Sequence, residues 1–223
     1  MTPDWLLYLI TDRHLTGQRS LPEALAEALQ GGIRAIQLRE KDLSPRALLA
    51  LAAEVRALTT ASRVVILIND RIDVMLAVGA DGVHLRTDSL PTRIVRRILG
   101  PEKLIGVSTH SIEEVWRAAD EGADFVTFGP VFETPSKMRY GPPVGVEALA
   151  DVCRHSGVPV FALGGITRDR IAAVVGAGAY GVAMISEIMV DRDTQSAARA
   201  CVATVSASKV SRAVDPGFRR CYN

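Results

Sequence analysis

Cysteine is scarce in this 223-residue chain: Cys153, Cys201 and Cys221 are an odd number without metal-ligand spacing. Such a set fits a reducing cytoplasm, with thiols that are buried or incidental. Aromatic residues make up only 5% of the chain, which argues against a stacking platform for single-stranded nucleic acid. An excess of either charge is lacking too, since 26 Lys+Arg against 25 Asp+Glu leave a formal net charge of +1. Near-neutrality gives no support to a general nucleic-acid surface and leaves room only for a local basic patch. No apolar run approaches the roughly 20 residues that a membrane helix needs. The start, Met1 to Arg13, has Asp4 early and no basic segment before its apolar stretch, so it does not read as a signal peptide. The expectation is a soluble cytoplasmic protein with no nucleic-acid or membrane partner.

What the chain has is apolar residue, 48% of it, enough for a full core. Short, mostly apolar runs recur from end to end: Leu6–Asp12, Ala35–Glu40, Val64–Asp70, Gly82–Arg86, Leu104–Thr109, Phe125–Pro130, Val158–Gly165 and Gly181–Ser186. Continuous rather than alternating hydrophobicity is the mark of parallel strands covered on both faces. Helical patterns lie between them. Pro45 to Ala61 follows a Ser44 cap, and Ile112 to Gly122 follows a Ser111 cap. Arg168 to Gly178 follows Thr167, and the last helix runs from Asp193 to about Ser208. Phrases such as Gly79-Ala80-Asp81-Gly82 and Gly122-Ala123-Asp124 supply helix stops and tight turns into the next strand. Eight such units of about 25 residues each match a single (β/α)8 TIM barrel over residues 1–208. A doubly wound open sheet is the rival, but it often has five or six strands. Residues 209–223, mildly basic around Pro216-Gly217, read as a flexible tail.

A barrel of this kind builds its site at the C-terminal ends of the strands. Polar residues stand there on nearly every strand. Arg39, Lys41 and Lys137, with the hydroxyls of Thr134 and Ser136, suit a phosphate or pyrophosphate. Gly164-Gly165 and the end of strand 8 precede helices, where barrels commonly hold phosphate on loop amides. Asp70 beside Asn69, with Asp88 on the next strand, offers oxygen ligands to Mg²⁺. Each has a plainer reading. Asp70 also serves as a helix cap, Gly164-Gly165 as a tight turn, and His84 as a hydrogen-bonded interior histidine instead of a substrate contact. His110 divides evenly between loop cap and site. His155 reads as surface, and Arg93, Arg96 and Arg97 read as the solvated face of a helix over Leu90–Leu99.

The chain resembles the thiamine phosphate synthase (thiamine-phosphate pyrophosphorylase) and thiazole tautomerase superfamily over nearly its whole length. The phrases that carry the resemblance are Tyr8-Leu9-Ile10-Thr11-Asp12, Gln37-Leu38-Arg39-Glu40-Lys41, Ile68-Asn69-Asp70-Arg71 and Ala80-Asp81-Gly82-Val83-His84-Leu85. Gly106-Val107-Ser108-Thr109-His110-Ser111, Gly129-Pro130-Val131-Phe132, Thr134-Pro135-Ser136-Lys137 and Ala162-Leu163-Gly164-Gly165-Ile166-Thr167 complete the set. The resemblance implies a transferase that couples hydroxymethylpyrimidine diphosphate with hydroxyethylthiazole phosphate, giving thiamine phosphate and pyrophosphate. By position, Gln37, Arg39, Lys41, Asn69 and Lys137 would hold pyrophosphate, and Ser108 would sit by the pyrimidine and pyrophosphate. Thr134, Ser136, Gly165, Ile185 and Ser186 would hold the thiazole phosphate. Lys137, Ser108 and Arg39 are the residues assigned to catalysis, Asp70 to Mg²⁺, and a homodimer is in keeping with barrels of this type.

The chain departs from the pattern after strand 4. Synthases usually read Gly-Gln-x-Asp there, the Asp being a second magnesium ligand. This chain reads Arg86-Thr87-Asp88-Ser89, which puts Ser89 at that position and a carboxylate one residue earlier. Asp88 reaches the metal only if the loop is rearranged. Thiazole tautomerases, which isomerise the thiazole carboxylate phosphate, also lack that Asp, and the Phe132-Glu133-Thr134 segment resembles theirs. Against them, Pro130 stands where the tautomerases carry a histidine, and Lys41, Asn69, Asp70 and Lys137 are retained. A non-catalytic binder of thiamine-pathway phosphates is the third reading.

Overall fold

In the computed structural model, which describes residues 2–134 and 142–214, eight parallel strands close into a barrel in sequence order. They are β1 (Leu7–Ile10), β2 (Ala35–Leu38), β3 (Val65–Asn69), β4 (Gly82–Leu85), β5 (Leu104–Thr109), β6 (Phe125–Phe128), β7 (Val160–Leu163) and β8 (Gly181–Met184). Closure is made by β8 against β1, with Tyr8 opposite Ala183. The open-sheet alternative is thereby excluded. Helices follow every strand: α1 (Leu21–Gln30), α2 (Pro45–Ser62), α3 (Ile72–Ala77), α4 (Thr92–Leu99), α5 (Ile112–Asp120), α6 (Gly145–His155), α7 (Ile171–Gly176), α8 (Ser186–Met189) and α9 (Thr194–Val214). The last helix runs six residues beyond the expected end at Ser208 and ties itself back through Lys209 Nζ, which donates to the Ala179 carbonyl at 2.8 Å.

The strands are mostly apolar because each faces two different cores. Outward residues such as Leu9, Ile36, Ile66, Ile68, Val83 and Val126 pack against the helices. Inward residues Tyr8, Ile10, Ala35, Leu67, Leu104, Phe125, Phe161 and Ala183 fill the lumen, with Trp5 at its foot. Trp5 meets Phe125 edge-on at 6.0 Å between ring centroids, and Phe125 meets Tyr8 edge-on at 5.5 Å. Large rings fit only where small residues face them. A Cβ on Gly106 of β5 would lie 2.5 Å from Phe125 Cζ and 2.6 Å from His84 Nδ1, so the missing side chain is what admits both rings.

The Gly-Ala-Asp phrases do more than turn the chain. Gly79 and Gly122 take φ of 62° and 95°, as expected of glycine helix stops. The aspartates that follow then bind backward. Asp81 Oδ2 accepts from Ile66 N at 2.9 Å and from Arg56 Nη1 at 2.8 Å. Asp124 Oδ2 accepts from Ile105 N at 2.8 Å and from Arg96 Nη2 at 2.6 Å. Each carboxylate thus clamps a helix, a strand and a turn at the base of the barrel. This corrects the reading of Arg96 as solvated: its guanidinium also donates to the carbonyls of Gly100, Lys103 and Gly122. The caps at Ser44 and Ser111 are made as predicted, each hydroxyl accepting from the third residue on. Thr167 makes no side-chain cap, and its segment opens on a short 3-10 turn over Arg168–Arg170 instead. Cys153 and Cys201 are buried free thiols, and burial pushes the Cys201 thiol up to about 11. No helix among the described residues is long and apolar enough to cross a membrane.

Candidate active site

The lumen changes character along the strands, from rings at the foot to polar groups at the C-terminal end. His84, on β4, is the pivot. It is 1% exposed, with Nε2 3.1 Å from Ser108 Oγ and 3.5 Å from Thr127 Oγ1, and Nδ1 3.4 Å from the Tyr8 hydroxyl. Burial, helped by the charge of Arg39, lowers the His84 pKa to about 3. The ring is therefore neutral at physiological pH. His84 forms a neutral, buried floor that fixes Ser108. Burial also raises the Tyr8 hydroxyl well above its usual range, so that group stays protonated. Gln37, inward on β2, is 2% exposed, and its Nε2 has no hydrogen-bond partner among the described residues. A buried amide left with donors to spare is the kind of group a polar ligand satisfies.

Beyond β2 the inward-outward alternation continues into the loop. Glu40 turns outward and is held by Thr11 Oγ1 at 2.6 Å, Arg13 N at 3.1 Å and Arg13 Nη1 at 3.2 Å. Thr11 Oγ1 in turn accepts from Arg39 N at 2.9 Å. Arg13 continues into a bidentate pair with Asp42, at 2.5 and 2.6 Å, which holds the Asp42 carboxyl far below its ordinary range. This network pins the backbone on both sides of Arg39 and Lys41. Sequence reasoning missed it, although Glu40 between two cations at a strand end was its signal.

The loops after β7 and β8 form the opposite side of the rim. Gly164 and Gly165 have φ of 96° and 63°, and a Cβ on Gly165 would lie 2.5 Å from the Glu133 carbonyl oxygen. Phe132 N donates to the Gly164 carbonyl at 3.0 Å, and Arg170 lies 4.6 Å from the centroid of the Phe132 ring. The two glycines let the β6 and β7 loops touch along their backbones. Ile185 is the N-cap of α8, and Glu187 Oε1 accepts from Arg168 N at 3.1 Å, joining loops 7 and 8. Thr134 borders this side and is half-buried. Ser136 and Lys137 lie outside the described residues. His110 is exposed at the rim, its N–H on Glu114 and its Nδ1 against the Gly129 carbonyl. His155 is on the outer surface, as read.

After β3 and β4 the structure differs from a two-carboxylate metal site. Asp70 adopts φ of 62°, and its carboxyl caps no helix: Oδ1 accepts the hydroxyl proton of Ser89. Ser89 Oγ also accepts from Arg86 N at 2.8 Å, so the hydroxyl stitches the β4 turn to Asp70. The Arg86 guanidinium serves both acids, with Nη1 3.9 Å from Asp70 Oδ2 and Nη2 hydrogen-bonded to Asp88. Asp88 is otherwise turned to solvent, its side chain 66% exposed. These residues do not fit a Mg²⁺ shared by Asp70 and Asp88, because the cation they share is Arg86. Among the described residues, no group of three or more His, Cys, Asp and Glu is placed to hold a metal ion.

The fold and rim define a (β/α)8 barrel whose C-terminal mouth joins a cationic β2 loop to a glycine turn and a helix N-terminus. The family model for thiamine monophosphate synthase matches residues 7–188, and the chain belongs to that family. A relative from Geobacter sulfurreducens is 51% identical over 200 residues, covering 90% of this chain and 94% of its own. A thiamine-phosphate synthase of Roseiflexus sp. (strain RS-1) is 44% identical over 208 residues, covering 93% of this chain and 88% of its own. Among solved structures, the thiamine phosphate pyrophosphorylase from Pyrococcus furiosus matches with a TM-score of 0.83. It is 35% identical, over 91% of this chain and 96% of that one.

Proposed function

We propose that this protein joins hydroxymethylpyrimidine diphosphate to hydroxyethylthiazole phosphate in the cytoplasm, releasing pyrophosphate and thiamine phosphate. The observation that carries the reading is the pinned Arg39–Lys41 loop facing the Gly164–Gly165 turn across one barrel mouth. In the reaction the bond from the pyrimidine methylene carbon to the diphosphate oxygen breaks, and its electron pair leaves on pyrophosphate. The thiazole nitrogen then gives its lone pair to that carbon. No proton is transferred, so the protein needs no general acid or base. A neutral His84 suits this, since it adds no charge beneath the developing pyrimidine cation.

The task of the residues is electrostatic and geometric. Arg39 and Lys41, with Lys137, stabilise the leaving pyrophosphate, and Gln37 and Asn69 orient it. Ser108, fixed by His84, contacts the pyrimidine side. Main-chain amides at Gly165, Ile185 and Ser186, with Thr134 and Ser136, hold the thiazole phosphate near the reacting carbon. Incubation of the protein with both substrates tests this directly. Coupled release of pyrophosphate and thiamine phosphate is expected, and absence of release with and without Mg²⁺ refutes it. The altered β4 loop is the observation favouring a tautomerase, which would convert the thiazole carboxylate phosphate with no pyrimidine present.

A further inference from the structure

We propose that Arg86 is the resident cation of this barrel mouth, binding the substrate diphosphate in place of a metal shared by two carboxylates. The inference rests on the synthase reading and deepens it by assigning a new diphosphate ligand. Three observations converge. The guanidinium stands at the C-terminal end of β4, one strand from Asn69 and Asp70. It is the group that both nearby carboxylates share, one by a hydrogen bond and the other at 3.9 Å, beyond hydrogen-bonding range. Its Nη1 is therefore held by charge beside Asp70 while its donors are not spent on that carboxylate. Finally, Ser89 Oγ fixes both ends of the arrangement, accepting from Arg86 N at 2.8 Å and donating to Asp70.

The chemistry follows from what each residue is. A guanidinium carries one permanent positive charge and a planar fork of N–H donors that fits phosphate oxygens. A divalent ion needs carboxylate oxygens around it, and here a hydroxyl occupies one oxygen of Asp70 while Asp88 is drawn outward. Exchange of carboxylate for serine at 89, with arginine at 86, trades a metal-dependent diphosphate site for a metal-independent one.

Calorimetry on the full chain tests this, with inorganic pyrophosphate titrated at constant ionic strength, in EDTA and in excess Mg²⁺. The wild type should bind pyrophosphate in EDTA, and Mg²⁺ should change the affinity less than about threefold. Arg86→Gln should weaken binding in EDTA about tenfold, as for loss of one charge-assisted contact, and Arg86→Lys should recover part of it. Arg86→Gln combined with Ser89→Asp should gain about tenfold or more from Mg²⁺. Tenfold or more tightening of the wild type by Mg²⁺, a comparison that needs no variant, would overturn the proposal. So would an Arg86→Gln protein that binds as wild type in EDTA. Wild-type turnover, measured alongside, separates the two levels. Turnover with either of those results removes Arg86 alone. Neither turnover nor pyrophosphate binding in any condition removes the synthase reading and this inference together.

Discussion

Acidification from about pH 7.5 to about pH 5 sets the burial of His84 against its charge. In the folded protein the ring titrates at about 3, against an ordinary value of 6.5. The unfolded chain therefore binds the proton first as pH falls. A histidine with a depressed folded pKa contributes stability in full above the unfolded value and loses it as pH falls from 6.5 toward 3. With those two values, the loss is about 2 kcal/mol at pH 5, since the proton then occupies nearly all unfolded chains and almost no folded ones. Carboxylates such as Asp42 and Asp73, whose pKa values are lowered by arginine partners, lose their contribution only at more acid pH, and the other three histidines are common to both proteins compared below. Urea unfolding at both pH values, on the wild type and on His84→Gln, reads the effect. Gln keeps a hydrogen-bonding group for Ser108 but cannot titrate. The wild type should lose about 2 kcal/mol more than the variant over this interval. Equal losses in the two proteins, within about 0.5 kcal/mol, would show that His84 takes up its proton as easily folded as unfolded, and would refute a neutral, desolvated floor.

Two further substitutions test the packing beneath that floor. Gly106→Ala places a Cβ 2.5 Å from Phe125 and 2.6 Å from His84, so it should cost about 1–3 kcal/mol in chemical denaturation and displace the imidazole resonances of His84. Asp124→Asn removes the charge that holds Arg96 Nη2 at 2.6 Å and turns an amide toward Ile105 N. A loss of about 2–4 kcal/mol is expected, with pyrophosphate affinity unchanged because the clamp lies at the opposite end of the barrel.

The sequence is legible wherever one physical cause acts locally. Eight mostly apolar runs become eight strands because a strand buried between a lumen and a helix shell leaves little room for polar residues outside the C-terminal mouth. Ser44 and Ser111 are legible as caps because capping needs only neighbours three residues away. Arg96 was not, since its partners lie in the turn after its own helix and in the turn that leads into β6, and on a helix surface it looks like Arg93 and Arg97. The same limit applies to Glu40, whose acceptor role depends on Thr11 and Arg13 from the loop after β1, 27 to 29 residues away.

The β4 loop sharpens the point. From residue order, Asp88 looked like a displaced metal ligand, because a carboxylate one place early in a loop keeps its charge and loses only its register. Register sets what that carboxylate meets in this structure. A turn closed by Ser89 N on the Arg86 carbonyl at 3.2 Å presents position 89, not 88, to the end of β3. The carboxylate at 88 is then left beside the guanidinium two residues before it, on the solvent side. The overall charge of +1 could not reveal this, because it counts Arg86, Asp70 and Asp88 without saying which of them share a cation. At a barrel mouth built from eight separate loops, charge is a property of side-chain direction, and that is set by the turn each loop closes.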